Sequence, residues 1–526
     1  MKKWRKWLGA LIVSSVLLTG CAEPSTTEIE RLSSEPHGVY YEIFVRAFAD
    51  STGDGIGDIN GVTNKLDYLD ELGIEGIWLM PINPSPSYHG YDVTDYVGVD
   101  EEYGTVEDMK RLVEEANKRG IKIVIDFVIN HSSKDHPWFQ KALAGDERYR
   151  DYYVWADEDT NLSQTGDWNQ TIWHGSGDNT YEGIFWDGMP DLNFDSAKLR
   201  QEVLEAGTFW LEEVGVDGFR LDAAKYLYSN YQYSDNHERN VAYWKEFRSE
   251  MENINPDVIM IGEIWDSATV VGPYLEGLHS AFNFDLSEKL LNTVKQESDA
   301  GIVSSLNRMI GYYEQINPDY IDSTFITNHD MNRVMTEVQG DQNKAKMAAS
   351  LLLTLPGNPF IYYGEETGLE GAKPDEYIRE PFIWNAGEQA EEQTTWIATR
   401  HNQNREEKSL EAQIDDEDSM YSHYKELIHA RRGSLALIEG ALLEATSYKE
   451  KGIVSFKRKT SDEEVLVFHN VSKESVTVTV GEEDKMFNHV YYSTFDKPKI
   501  GEMIELPPYS TLILSKPGEK TPSSSV

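Results

Sequence analysis

The chain has 526 residues, of which 40% are hydrophobic and 26% charged. That balance supplies more than one buried core and excludes a fibre or a wholly disordered chain. With 48 Lys and Arg against 91 Asp and Glu, the formal charge of −43 also excludes a nucleic-acid or anionic-lipid surface, because a phosphate field would repel it.

At the amino terminus, Lys2, Lys3, Arg5 and Lys6 precede an apolar run over residues 8–18. The run is too short to span a bilayer, which needs about 20 residues, and its flanks are those of a signal peptide. The sole cysteine, Cys21, follows Leu18-Thr19-Gly20, so no intramolecular disulfide can form. This junction resembles the bacterial lipobox, which implies lipidation of Cys21 and an extracytoplasmic, membrane-anchored lipoprotein. Residues 1–20 are then the signal peptide and 21–37 the tether.

From residue 38, β-type runs alternate with helical ones. Strands are predicted over 39–48, 76–80, 121–128, 218–222, 258–264, 281–286, 323–327 and 360–363. Most are apolar at successive positions, as strands covered on both faces are. Amphipathic helices fall between them, among them 106–119 with Thr105 as N-cap and Gly120 as terminator, then 199–214 and 240–251. Eight strands separated by helices predict an α/β fold, a (β/α)8 barrel, over 38–131 and 195–435.

Just after the first strand, Asp50, Thr52, Asp54, Ile56 and Asp58 stand at alternate positions of a Gly-rich loop. This is calcium-loop spacing, with the carbonyl of Ile56 as one donor, although the acidic residue of an EF-hand's twelfth position is replaced by Gly61. Residues 132–194 are far longer than an ordinary βα loop and predict an inserted small domain. Short alternating strands over 436–515 predict a C-terminal antiparallel β-sandwich, and 516–526 a disordered tail.

Catalytic groups of such barrels project from the C-terminal ends of the strands. There stand Asp126, Asn130 and His131 after the third strand, Arg220, Asp222 and Lys225 after the fourth, Glu263 after the fifth, and His329 with Asp330 after the seventh. Glycosidic cleavage needs one protonated carboxyl to assist the leaving oxygen and one ionised carboxylate to meet positive charge at carbon. Arg220 shares a strand face with Asp222 and would keep it ionised, whereas Glu263 is followed by Ile264 and Trp265, a setting for a raised pKa.

These segments, in this order, resemble the signature regions of the α-amylase family, glycoside hydrolase family 13. By motif position the resemblance implies that Asp222 of GFRLD is the nucleophile, Glu263 of GEIW the general acid/base, and Asp330 of TNHD the transition-state stabiliser. It implies sugar contacts for Tyr91, Asp92, His131, Arg220, Lys225 and His329, and for Asp375 with Arg379 on the donor side. Met189-Pro-Asp-Leu-Asn193 resembles the group intermediate between oligo-1,6-glucosidases and neopullulanases. Lys225 favours a polymer-type α-amylase, although Tyr226 replaces the histidine usual after that lysine. Related oligo-1,6-glucosidases carry the loop of residues 50–58, which supports Ca2+ as a cofactor.

The expected activity is retaining, endo-acting hydrolysis of α-1,4 bonds in starch and maltooligosaccharides by a monomer. The alternatives are an exo-acting α-glucosidase or transglycosylase on the same machinery, and a non-catalytic glucan-binding lipoprotein.

Overall fold

The computed structural model describes residue 32 and residues 36–387, 391–445 and 448–518. The predicted signal peptide, Cys21 and most of the predicted tail lie outside the described residues. Among the described residues no helix is long and apolar enough to cross a membrane.

Eight parallel strands form the centre: β1 (Tyr40–Ile43), β2 (Gly76–Leu79), β3 (Lys122–Phe127), β4 (Gly218–Leu221), β5 (Ile259–Gly262), β6 (Ser280–Ala281), β7 (Ser323–Phe325) and β8 (Asn358–Tyr362). β1 to β6 pair in sequence order, β1 also pairs with β8, and β8 with β7. A parallel bridge between Phe282 and Ser323 spans β6 and β7, so the sheet closes into a barrel.

Strand alternation sorts the side chains into two populations. Tyr41, Ile43, Ile77, Leu79, Ile123 and Ile125 join the large core shared with the surrounding helices. Tyr40, Trp78, Val124, Ile261, Phe282 and Phe360 form a separate cluster that plugs the barrel. Tyr40 stacks on Phe360 with ring centroids 4.8 Å apart and lies opposite Gly76 in register. A Cβ at Gly76 would sit 2.2 Å from the Tyr40 ring, which accounts for glycine at that strand position.

The predicted strand over 39–48 is shorter than expected. Beyond Ile43 the chain turns into a short helix, Val45–Phe48, whose Val45, Ala47 and Phe48 are as buried as the strand itself, so hydrophobic continuity hides the strand's end. The strand predicted over 281–286 is likewise corrected. Asn283 caps the helix Phe284–Gln296 by accepting from the Leu286 N–H, and only Ser280–Ala281 remain extended. The helix predicted over 199–214 runs as an α-helix through Ala197–Thr208 and finishes in wider π turns, Phe209–Val214.

Residues after His131 leave the barrel through two helices, Pro137–Leu143 and Glu147–Arg150, and a short ladder of Trp173–His174 with Tyr181–Glu182. The excursion returns where Asp191 bridges to His131.

Beyond the helix Met420–Arg432, a five-stranded antiparallel sheet follows: β9 (Ala441–Glu444), β10 (Ile453–Lys459), β11 (Glu464–Asn470), β13 (His489–Ser493) and β15 (Ser510–Ser515). The pair β12 (Val476–Thr479) and β14 (Met503–Leu506) faces it. Leu466, Phe468, Leu512 and Leu514 of the first sheet pack on Val478, Ile504 and Leu506 of the second, giving the predicted sandwich its core.

Gly76→Ala is expected to destabilise the protein by about 1–3 kcal/mol through overpacking of the Tyr40 ring. Calorimetry should show a lower Tm with the secondary structure retained; an unchanged Tm would mean that the plug has slack at this layer.

Candidate active site

Above the aromatic plug, the inward positions of the strands become polar. Asp126 and Arg220 face each other in register across β3 and β4, and Arg220 Nη1 contacts both Asp126 oxygens at 3.0 and 3.2 Å. The same nitrogen lies 2.5 Å from Asp222 Oδ1, and Nη2 lies 3.1 Å from Glu263 Oε2. One guanidinium, 1% exposed, therefore draws together the carboxyls at the ends of β3, β4 and β5. Its flat face lies over the rings of Trp78 and Tyr91, with centroids 5.1 and 5.9 Å away, an arrangement favourable for a cation.

The turn after β4 ties Asp222 to Glu263. Ala223 adopts a left-handed φ of 48°, a conformation costly for a residue with a Cβ. In that conformation its N–H donates to Glu263 Oε2 at 3.0 Å, and the next N–H, of Ala224, donates to the Glu263 carbonyl.

Burial raises the affinity of both Asp222 and Glu263 for a proton, and Arg220 opposes it in each case. The cation that the sequence assigns to Asp222 alone thus also reaches Glu263 from the neighbouring strand. The Trp265 side chain is 57% exposed and stacks on Phe284 instead of covering Glu263. Asp126 is pushed up to about 7, by burial first, against the pull of Arg220.

The third carboxylate has the opposite environment. Burial alone would raise Asp330, but His329 and Arg379 override it and hold the group well below the usual range. Arg379 Nη2 donates to Asp330 Oδ1 at 3.0 Å, and His329 Nε2 is 3.2 Å from Oδ2. Tyr91 joins the two groups, its hydroxyl lying 2.7 Å from His329 Nε2 and 3.2 Å from Asp126 Oδ2.

His131 is buried and neutral, brought down to about 4 by burial. Its Nε2 lies 3.1 Å from the Tyr91 carbonyl, so it fixes the loop that carries Tyr91. Asp375 stands at the edge of this group, 3.9 Å from Arg379.

Two residues of the expected sugar-contact set are held by protein partners. Asp92 is buried and accepts from the Ser85 and Ser87 hydroxyls, which braces the loop after β2. Lys225 donates to the Trp265 carbonyl at 3.0 Å and to Asp266 at 2.9 Å. Asp126, which the sequence places at a strand end without a role, and Glu42 both belong to the site but not to the expected catalytic and sugar-contact residues. The signal for both was a lone carboxylate inside an apolar strand run, with nothing in the sequence to show what it faces.

In the loop after β1, Asp50 accepts from the N–H groups of Thr52, Gly53 and Gly55, and Asp58 from Ser51 and Gly61. Asp54 accepts from the N–H of Ile56. Asp50 and Asp58 are 5% and 4% exposed. The oxygen donors are of the hard type that calcium takes. Among the described residues, however, no three His, Cys, Asp or Glu side chains group closely enough to hold a metal.

The family described as alpha amylase, catalytic domain, matches residues 42–440, and the alpha-amylase SusG C-terminal domain matches residues 453–513. The chain is 43% identical over 482 residues to "Alpha-amylase 3" of Dictyoglomus thermophilum, covering 91% of this chain and 93% of that protein. It is 38% identical to a 4-alpha-glucanotransferase of Thermotoga maritima, covering 83% and 96%. The crystal structure of an alpha-amylase from H. orenii superposes with a TM-score of 0.85 at 42% identity, over 92% of this chain and 100% of that one. The chain belongs to the α-amylase family of glycoside hydrolases.

Replacing Arg220 by Lys keeps the charge but not the fork that reaches three carboxyls. Losing a charge-assisted contact of about 1.5–3 kcal/mol should lower kcat/KM about ten- to hundredfold. Because Arg220 holds the Asp222 pKa down, the acid limb of the pH–rate profile should move to higher pH. An unmoved limb would show that Arg220 does not set the ionisation of Asp222.

Proposed function

We propose that this α-amylase-family enzyme is a retaining, endo-acting hydrolase of α-1,4 bonds in starch and maltooligosaccharides. The observation that carries the reading is the joint contact of Arg220 with Asp222 and Glu263, beside an Asp330 kept ionised by His329 and Arg379. A pair of carboxyls facing one bond is what double displacement requires, and Asp330 adds a third whose proton affinity is shifted in the opposite direction.

In this reading Glu263, protonated, gives its proton to the glycosidic oxygen while Asp222 attacks the anomeric carbon. The C–O bond to the leaving sugar breaks and a glycosyl ester forms. Glu263, now ionised, takes a proton from water, whose oxygen displaces Asp222 with a second inversion. Asp330 stays ionised, accepts from sugar hydroxyls and faces the positive charge that grows on the ring. Tyr91, Arg220, His329 and Arg379 hold these groups around the central sugar.

Asp222→Asn and Glu263→Gln should each lower turnover of a chromogenic maltooligosaccharide by at least about 10³-fold with the melting curve unchanged. Retained activity in either variant refutes the assignment. Early internal cuts in a long maltooligosaccharide support endo action; release from one end only opposes it. The relationship to a 4-alpha-glucanotransferase favours glycosyl transfer as a second reading, and products longer than the substrate would establish it.

The oxygen donors of Asp50, Thr52, Asp54, Ile56 and Asp58 would hold Ca2+ by drawing together carboxylates that stand apart without it, and the ion would offset their charge and stiffen the connection after β1. A chelator should lower Tm while leaving kcat of the surviving folded fraction nearly unchanged; an unaltered Tm sinks the loop assignment. We further propose lipidation at Cys21 and an extracytoplasmic, membrane-anchored monomer. Labelled palmitate should enter the protein in a bacterial host and fail to enter Cys21→Ser; equal labelling removes the anchor.

A further inference from the structure

Glu42 stands on the inward face of β1, two residues after the Tyr40 of the plug, and is 2% exposed. Its Oε1 lies 2.5 Å from Nδ1 of His329, which is fully buried. The other ring nitrogen, Nε2, faces Asp330 Oδ2 at 3.2 Å and the Tyr91 hydroxyl at 2.7 Å. A carboxylate only accepts hydrogen bonds. The single Tyr91 hydroxyl proton is directed to Asp126 Oδ2, so a ring with a carboxylate at each nitrogen is satisfied on both sides only when both nitrogens carry protons. In the neutral ring, one nitrogen lone pair would point at a carboxylate oxygen, and for a ring without solvent contact such a mismatch is costly.

We propose that Glu42 is a positioning residue: it holds His329 as an imidazolium whose charge keeps Asp330 ionised and aimed at the sugar. The proposal rests on the assignment of Asp330 under Proposed function.

The surrounding groups are consistent with it. Asp126 on β3 and Asp222 on β4 add negative potential at His329. Arg220 and Arg379 bring positive charge on the far side of Asp330, and the Arg379 Nε–H donates to the His329 carbonyl at 3.2 Å. Trp78 covers the ring edge-on at 5.5 Å. Behind Glu42 stand Tyr362 and Glu365, the latter pushed by burial up to about 8. Burial lowers the His329 pKa, yet Asp330 and Glu42 together carry it up to about 9. His131, equally buried but without a carboxylate on its ring nitrogens, goes the other way.

The test is Glu42→Gln, which keeps shape and an acceptor oxygen but removes the charge. kcat/KM is followed against pH on a maltooligosaccharide with an activated aryl leaving group. That substrate needs little proton assistance from Glu263, so its alkaline limb reports His329. The limb should fall by about one pH unit or more, the shift typical of losing an opposite charge at this distance, while activity on the acid side is largely retained. Glu42→Asp should shift the limb less than the amide does. A profile scaled down evenly at all pH values would mark Glu42 as a packing residue and overturn the proposal, as would an unchanged one.

Should Glu42→Gln fail to fold, imidazole 15N resonances of the wild-type protein decide, with His329 identified by its loss in His329→Asn. Two protonated nitrogens at pH 8 support the proposal, and a neutral tautomer at pH 7 overturns it. This readout does not depend on turnover, so a failure of the catalytic assignment at Asp222 or Glu263 remains distinguishable from a failure at Glu42.

Discussion

The active end of the barrel depends on one buried cation. Arg220 has no solvent to hydrate it, and a guanidinium stripped of water is tolerable only when its donors meet acceptors of opposite charge. It meets Asp126, Asp222 and Glu263 at the ends of three successive strands. Without it these carboxyls would repel one another across a pocket too dry to screen them. The contact is also directional: the fork sets where Asp222 and Glu263 stand relative to each other, and the left-handed Ala223 adds a backbone donor to the same Glu263 oxygen. Catalytic geometry and electrostatic necessity are thus satisfied by the same side chain.

A second cationic pair completes the arrangement. His329 and Arg379 flank Asp330 and bring its pKa down, whereas burial dominates at Asp222 and Glu263 and takes theirs up. Placement alone thereby separates Asp330 from Asp222 and Glu263, although the three carboxyl groups have nearly equal intrinsic acidity. Tyr91 connects the halves, with its hydroxyl between His329 and Asp126 and its ring stacked on His329 at 5.6 Å. A change on the Asp330 side would therefore be felt at Arg220 through a chain of direct contacts.

Much of this was legible in the sequence because parallel strands covered on both faces leave an unmistakable apolar signature, and polar residues at their ends stand out against it. GFRLD, GEIW and TNHD mark strand ends whose inward residues follow from period-two alternation. Partners across strands were hidden. Nothing near Glu263 in sequence shows that Arg220 reaches it, and Glu42 reads as one acidic residue in YYEIF until His329, 287 positions away, is set beside it. The ends of β1 and β6 are masked for a related reason: the buried helical turns that run to Phe48 and through Leu286 are as apolar as the strands they follow. Asp92 and Lys225 were identified by motif, yet their partners are Ser85, Ser87, Trp265 and Asp266. A motif preserves a position without stating which neighbour a side chain takes.

The same logic joins the barrel to the C-terminal sandwich. In a chain with 91 acidic side chains and only 48 basic ones, the buried Arg431 and Arg458 give their donors to backbone carbonyls. Arg431 donates to the carbonyls of Leu353, Leu355 and Gly357, and Arg458 of β10 donates to the carbonyl of Thr354. These carbonyls close the helix Gln342–Thr354 and the turn into β8, where the helix dipole leaves partial negative charge and unpaired acceptors. His469 of β11 adds a contact to the Thr354 hydroxyl at 3.0 Å. The sandwich is therefore docked on the polar end of a barrel helix as well as on apolar surface. Because that helix leads directly into β8, whose following loop carries Arg379, the docking constrains the strand from which the Asp330 pocket takes one of its two cations.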